Sequence, residues 1–117
     1  MNKKQNLGKY GEDIAVKYLK NRHYIILERN FRSKQGEIDI IAKDNNELIF
    51  IEVKTRRNLK YGTPAEAVDN KKIQHIYNTA NLYLKLKNVR NIIIRFDIIE
   101  VYILNNRYCV NHIKQIL

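Results

Sequence analysis

Asp39, Glu52 and Lys54 are the residues whose types and spacing suit chemistry. Asp39 closes the run Gly36-Glu37-Ile38-Asp39, and after twelve intervening residues comes Glu52-Val53-Lys54. If both runs are strands, Glu52 and Lys54 project from one strand face, because side chains two apart share a side. Asp39 on the neighbouring strand can then meet them. Two hard carboxylates suit Mg²⁺, which prefers oxygen ligands, keeps several waters and is often held by one or two carboxylates. A lysine beside such an ion can orient an attacking water or offset developing negative charge. The plainer alternative is a cross-strand ion pair between Glu52 and Lys54 on a solvated face.

The elements that must position these groups follow from periodicity. Leu7, Gly11, Ile14, Ala15, Tyr18 and Leu19 recur at three- and four-residue spacing and predict a helix over 6–22, with Glu12 at the edge of its apolar stripe. Residues 24–32 predict a first strand, and Ser33-Lys34-Gln35-Gly36 a turn. Residues 37–43 and 47–54, joined by Asp44-Asn45-Asn46, predict an antiparallel hairpin. Alternation puts Ile49, Ile51 and Val53 on one face of its second strand. In the first, Glu37, Asp39 and Ile41 would share a face opposite Ile38, Ile40 and Ala42.

A polar, basic loop is expected over 55–63. Thr63-Pro64-Ala65-Glu66 fits a helix start, and Asp69 offers a second cap. Val68, Ile73, Ile76, Tyr77, Ala80 and Leu84 then form an apolar stripe to about residue 86. Residues 91–104 predict a strand, and 108–117 a short strand or helical turn. The order α-β-β-β-α-β describes an α/β fold with a mixed central sheet flanked by helices, one domain over 1–117.

The chain carries 22 Lys+Arg against 12 Asp+Glu, a formal charge of +10. Residues 1–36 hold nine basic and three acidic residues, and 70–117 hold eight and two. Residues 37–69 hold five and seven. Two basic flanks around an acidic centre suit a phosphate-rich partner, nucleic acid, held by the flanks and acted on at the centre. The single cysteine excludes an intramolecular disulfide and a cysteine zinc site. No apolar run approaches the roughly 20 residues of a membrane span, and none near residue 1 suits a signal peptide. A cytoplasmic setting without a membrane partner is the expectation.

Further residues follow from context. Arg56 and Arg57 follow the second strand in the expected loop and could grip phosphate. Arg29 and Arg32 flank the first strand. Lys71 and Lys72 sit where a helix N-terminus disfavours cations, which hints at a phosphate contact. Tyr61 could stack on a base, or pack against the sheet. Asp97 is expected to pair with an arginine. His23, His75 and His112 show no ligand spacing and are expected as surface or packing residues. Cys109 is expected as a small buried hydrophobe, and Glu37 as a solvated strand start.

Gly11-Glu12, Asn30-Phe31-Arg32, Gly36-Glu37-Ile38-Asp39-Ile40-Ile41-Ala42, Phe50-Ile51-Glu52-Val53-Lys54-Thr55-Arg56 and Ala65-Glu66-Ala67-Val68-Asp69 with Lys72 together resemble the YraN-type family of small bacterial proteins. That family is similar to archaeal-type Holliday junction resolvases and to the restriction-endonuclease-like PD-(D/E)xK nucleases. The resemblance implies a restriction-endonuclease-like core and a Mg²⁺- or Mn²⁺-dependent endonuclease acting on DNA, branched or single-stranded. It implies Asp39 and Glu52 as metal ligands with the Val53 carbonyl, Glu12 as a helical ligand and Lys54 as the catalytic lysine. Arg32, Arg56, Arg57 and Lys72 would contact nucleic acid. Ile38 stands where the superfamily pattern has proline. Resolvase-like relatives act as dimers, so a homodimer is expected. The rival readings are a non-catalytic nucleic-acid-binding module and an assembly partner of a DNA-processing complex.

Overall fold

The computed structural model describes residues 3–57 and 70–117, with side chains from Leu7 onward. Helix α1 (Lys3–Asn21) leads into β1 (Ile25–Ser33), β2 (Gly36–Asp44) and β3 (Glu47–Arg56). Helix α2 (Asn70–Leu86), β4 (Ile93–Leu104) and β5 (Arg107–Ile113) follow. The five strands lie side by side in chain order. Every neighbouring pair is antiparallel except β3 and β4, which are parallel. A tight hairpin cannot close a parallel pair, so the connection carrying α2 makes the crossover. This is the restriction-endonuclease-like core, widened by the edge strand β5.

The helices cover opposite faces of the sheet. Ile14, Ala15 and Leu19 of α1 pack on Ile40, Ala42, Ile49, Ile51, Ile99 and Val101. On the other face Ile76, Ala80 and Tyr83 of α2 pack on Ile38, Ile41, Leu48, Phe50 and Phe96. The central strands are buried from both sides, which is why Leu48-Ile49-Phe50-Ile51 is apolar without a break. Each such side chain contributes about 1.5–3 kcal/mol by leaving water. Burial in β3 stops at Ile51 and eases from Glu52 onward, so the polar end of the strand begins where the candidate chemistry begins. Asn45 and Asn105 open the β2–β3 and β4–β5 hairpin turns at φ 54° and 55°, a left-handed conformation that asparagine tolerates.

Several expectations need correction. Helix α1 starts at Lys3, earlier than residue 6. Thr55 and Arg56 belong to β3 rather than to a loop. Tyr77 is exposed and Tyr83 is buried instead, because Ile76, Ala80 and Tyr83 hold the three- and four-residue spacing that faces the sheet. The face assignment in β2 fails at Ile38. That residue packs with Ile41 on the α2 side, whereas Ile40 and Ala42 lie under α1. The tail expectation resolves as the strand β5. The cap at Thr63-Pro64-Glu66, Asp69, Val68 and Tyr61 lie outside the described residues.

Candidate active site at the fork of two strands

The β2–β3 ladder ends at Ile40↔Ile51, and from there to Gly36 β2 pairs with β1 alone. The strands fork at Asp39 and Glu52. The fork leaves the Val53 N–H without a strand partner, and the Asp39 side chain takes that place, Oδ2 accepting the N–H at 2.8 Å. Ile38 changes face together with its β1 partner Phe31, across Asn30 at φ 54°. In a strand a residue's N–H and C=O point to the same neighbour, so the Val53 carbonyl lies on the edge that faces the fork.

Glu52 projects from β3 with one oxygen crowded and the other alone. Its Oε1 meets Lys54 Nζ at 3.4 Å and also pairs with Lys72 of α2. Its Oε2 is buried without a hydrogen-bond partner. A buried carboxylate oxygen in that state carries an uncompensated desolvation cost of about 1–3 kcal/mol or more.

Glu12 reaches the fork from the other face because Gly11 lets α1 come close. A Cβ at Gly11 would lie 1.9 Å from Thr55 Oγ1 of β3, an overlap no alanine could accept in place. Glu12 is buried, and its Oε1 accepts from Arg29 Nε at 3.1 Å and Asn30 Nδ2 at 3.0 Å. Asn30 holds φ 54° to make that contact. Arg29 also pairs with Asp13 at 2.6 Å. Gly36 plays a similar part under α2. It stands at φ +154°, and a Cβ there would lie 3.3 Å from His75 Cβ.

The fork opens into a cleft of about 390 Å³ lined among others by Glu12, Asn30, Glu37, Asp39, Lys54 and Thr55. Burial pushes the Asp39 carboxyl up to about 6, against the pull of the Val53 hydrogen bond, and the neighbouring Glu52, Glu12 and Glu37 push the same way. Burial and the adjacent Lys72 hold the Lys54 ammonium below the ordinary lysine value. Lys72 moves the opposite way: burial disfavours its charge, and the contacts with Glu52, Lys54 and Asp39 together outweigh that.

The donor set fits a hard divalent cation of the Mg²⁺ type. Asp39 and Val53 line the cleft, which has room for water, and the partnerless Glu52 Oε2 is buried outside that lining; all three donors are oxygen. Among the described residues no group of three or more His, Cys, Asp or Glu is placed to hold a metal ion, so the set here is two carboxylates and a main-chain carbonyl. Glu12 stands at the cleft with Oε1 held by Arg29 and Asn30, so its first duty is to brace the β1 side.

The remaining candidates divide. Arg32 is 73 % exposed and meets Glu37 at 3.4 Å. Arg57 is exposed just after β3. Arg56 is not the open loop arginine expected from sequence. Its side chain is half-buried at the end of β3, and its Nε pairs with the buried Glu100 at 3.2 Å. Cys109 is exposed on the edge strand β5, not buried, because β5 has a strand neighbour on one side alone among the described residues. His112 is more than a packing residue. Its Nε2 lies 2.7 Å from Asp97, and its Nδ1 lies 3.1 Å from the Tyr18 hydroxyl. Asp97 pairs with Arg95 as expected.

Sequence reasoning missed the Lys72–Glu52 and Glu100–Arg56 pairs. Both span about 20 residues or more of chain, and no spacing rule signals them. A hint existed for the first in the expectation that Lys72 sits where a helix start disfavours cations.

The chain matches, over residues 11–101, the family described as Uncharacterised protein family UPF0102. A UPF0102 protein of Clostridium botulinum (strain Hall) is 55% identical over 113 residues, covering 94% of this chain and 92% of that one. The chain belongs to the UPF0102 family. The YraN-type resemblance in the motifs is this same membership. A UPF0102 protein of Clostridioides difficile (strain 630) is 50% identical, covering 97% of this chain and 96% of that one. Among solved structures, that of SSO0001 is 24% identical with a TM-score of 0.40. It matches 95% of this chain, which spans about half (52%) of that protein's length. Among the described residues, no helix is long and apolar enough to cross a membrane.

Proposed function

We propose that this UPF0102 protein is a metal-dependent endonuclease that hydrolyses phosphodiester bonds of DNA. The observation that carries the reading is the fork itself. Asp39 and Glu52 flank the point where β2 and β3 part, close enough for Glu52 to raise the Asp39 carboxyl; Lys54 touches Glu52, and Glu52 Oε2 is buried without a partner. Glu28 Oε2 is also buried without a partner, but only the Glu52 oxygen belongs to a carboxylate that two lysines already contact beside Asp39, where an added cation would satisfy it.

Asp39, Glu52 and the Val53 carbonyl would hold Mg²⁺ or Mn²⁺. A divalent ion there would lower the pKa of a bound water and stabilise charge on the phosphate. Lys54 holds the attacking water in line, or offsets the charge that builds on the phosphoryl oxygens. Water oxygen bonds to phosphorus, one P–O ester bond breaks, and the water proton reaches the leaving oxygen through solvent. Arg32, Arg57 and Lys72 supply positive charge around the cleft for the DNA backbone. Glu12 keeps Arg29 and Asn30 in register and so braces the cleft wall. A homodimer would let two such sites cut two strands.

The test is incubation of linear, single-stranded and four-way DNA with Mg²⁺, Mn²⁺ or EDTA. Cleavage by the wild type with metal, abolished by EDTA and by Asp39→Asn, is expected. Cleavage that survives both Asp39→Asn and Lys54→Ala would overturn the assignment. DNA binding without cleavage of any substrate would favour the binding-module reading.

A further inference from the structure

Glu52 Oε1 is shared by two ammonium groups, Lys54 of its own strand and Lys72 of the helix across the sheet. Lys72 lies near the start of the described part of α2, and its ammonium reaches Glu52 from there. The local charge count explains what the contact does. Asp39 and Glu52 bring two negative charges, and Lys54 and Lys72 bring two positive ones. Glu12 and Glu37 are occupied by Arg29 and Arg32. The fork is balanced as it stands. A divalent cation added to it leaves an excess of two positive charges unless one lysine departs or an anion arrives.

Lys54 is fixed two residues from Glu52 on a rigid strand. Lys72 is partly exposed, at the end of a four-carbon stem on a helix, so it is the one able to move. A DNA phosphate brings the missing negative charge. Resting on the metal-site reading above, we infer that Lys72 occupies Glu52 as a stand-in cation and passes to a DNA phosphate when the divalent ion binds. Metal and DNA then bind cooperatively, each removing the cost of the other, and the coupling is reciprocal.

The full chain without DNA is titrated with Mn²⁺, free ion being read by electron paramagnetic resonance. Lys72→Met and Lys72→Gln are compared with the wild type and with Lys71→Ala, an exposed neighbour that carries the same change of net charge. The Lys72 variants are expected to bind Mn²⁺ about tenfold more tightly than wild type, within the usual range of coupled sites. Lys71→Ala should match the wild type. A short phosphorothioate duplex should tighten Mn²⁺ binding to the wild type by a similar factor and leave the Lys72 variants nearly unchanged. Equal Mn²⁺ affinity in wild type and Lys72 variants overturns the inference and leaves the metal site standing. Absence of Mn²⁺–DNA cooperativity in the wild type also overturns it, whatever the variants do. No Mn²⁺ binding by the wild type, with or without DNA, overturns both the inference and the reading beneath it.

Discussion

Two aspartates on adjoining parts of one sheet have opposite surroundings. Asp97 on β4 is buried and satisfied on both oxygens. Arg95 donates to each, the Gln115 N–H donates to Oδ1 at 3.0 Å, and His112 lies 2.7 Å from Oδ2. Burial alone would raise its carboxyl, and these partners outweigh it and hold the group below the usual range. Arg95 extends the cluster to Glu47 and to the Tyr24 hydroxyl at 2.9 Å. Asp39 has one hydrogen bond among the described residues, from Val53, and carboxylates on three sides. A carboxylate that only holds a fold together is supplied with donors. One left with a single donor at the mouth of a cleft is suited to a cation from solvent.

The contrast can be broken from either side. Asp97→Ala should have the largest effect on the fold. Removing one partner of a buried ionic cluster strands the others and costs about 3–5 kcal/mol. Urea denaturation should show this loss. Lys54→Ala should leave the urea midpoint near wild type and lower cleavage about a hundred- to a thousandfold, as removing one stabilising donor does. Single-turnover rates with saturating Mn²⁺ measure it.

Asp39→Asn should separate the two aspartates most sharply. A carboxyl raised in the folded state stabilises the fold fully below pH 3.8, and that contribution is lost as pH rises through about 6. In metal-free protein at pH 7, Asp39→Asn is therefore expected to be more stable than wild type. The gap between 3.8 and about 6 caps the gain near 3 kcal/mol. Near pH 3 the advantage should vanish. Asp97 runs the other way: its folded value is depressed, so its contribution is present above pH 3.8 and lost as pH falls. Urea midpoints of wild type, Asp39→Asn and Asp97→Asn across pH 3–8 without metal read both trends.

Gly11→Ala should have the smallest effect, about 1–3 kcal/mol of strain from the methyl against Thr55, reduced by the better helix propensity of alanine. Thr55→Ala removes two of the three nearest atoms, Oγ1 at 1.9 Å among them, so part of the loss should return in the double variant. The readout is the thermal midpoint together with cleavage, since displacing α1 also displaces Glu12.

The alternation of β3 was legible because it is local. Ile49, Ile51 and Val53 face α1, and Phe50 faces α2, as a period of two requires. The pairing of Asp39 with the Glu52-Val53-Lys54 run followed from one hairpin. Ile38 was not legible, since its face changes together with that of Phe31 on the neighbouring strand, across Asn30 at φ 54°. Lys72, Glu100 and His112 were hidden for a related reason: their partners come from other elements, and only the folded sheet brings them together. Cys109 was misjudged because composition does not reveal which strand forms the edge.

The central claim is that the Asp39–Glu52 fork takes a divalent ion and uses it on DNA. The most direct measurement follows thermal stability and DNA cleavage in one Mn²⁺ titration of the wild type and Asp39→Asn. In the wild type the melting midpoint should rise with Mn²⁺ and cleavage should appear over the same concentrations, while Asp39→Asn shows neither. Cleavage without metal, or equal Mn²⁺ stabilisation and cleavage in Asp39→Asn, would contradict the account.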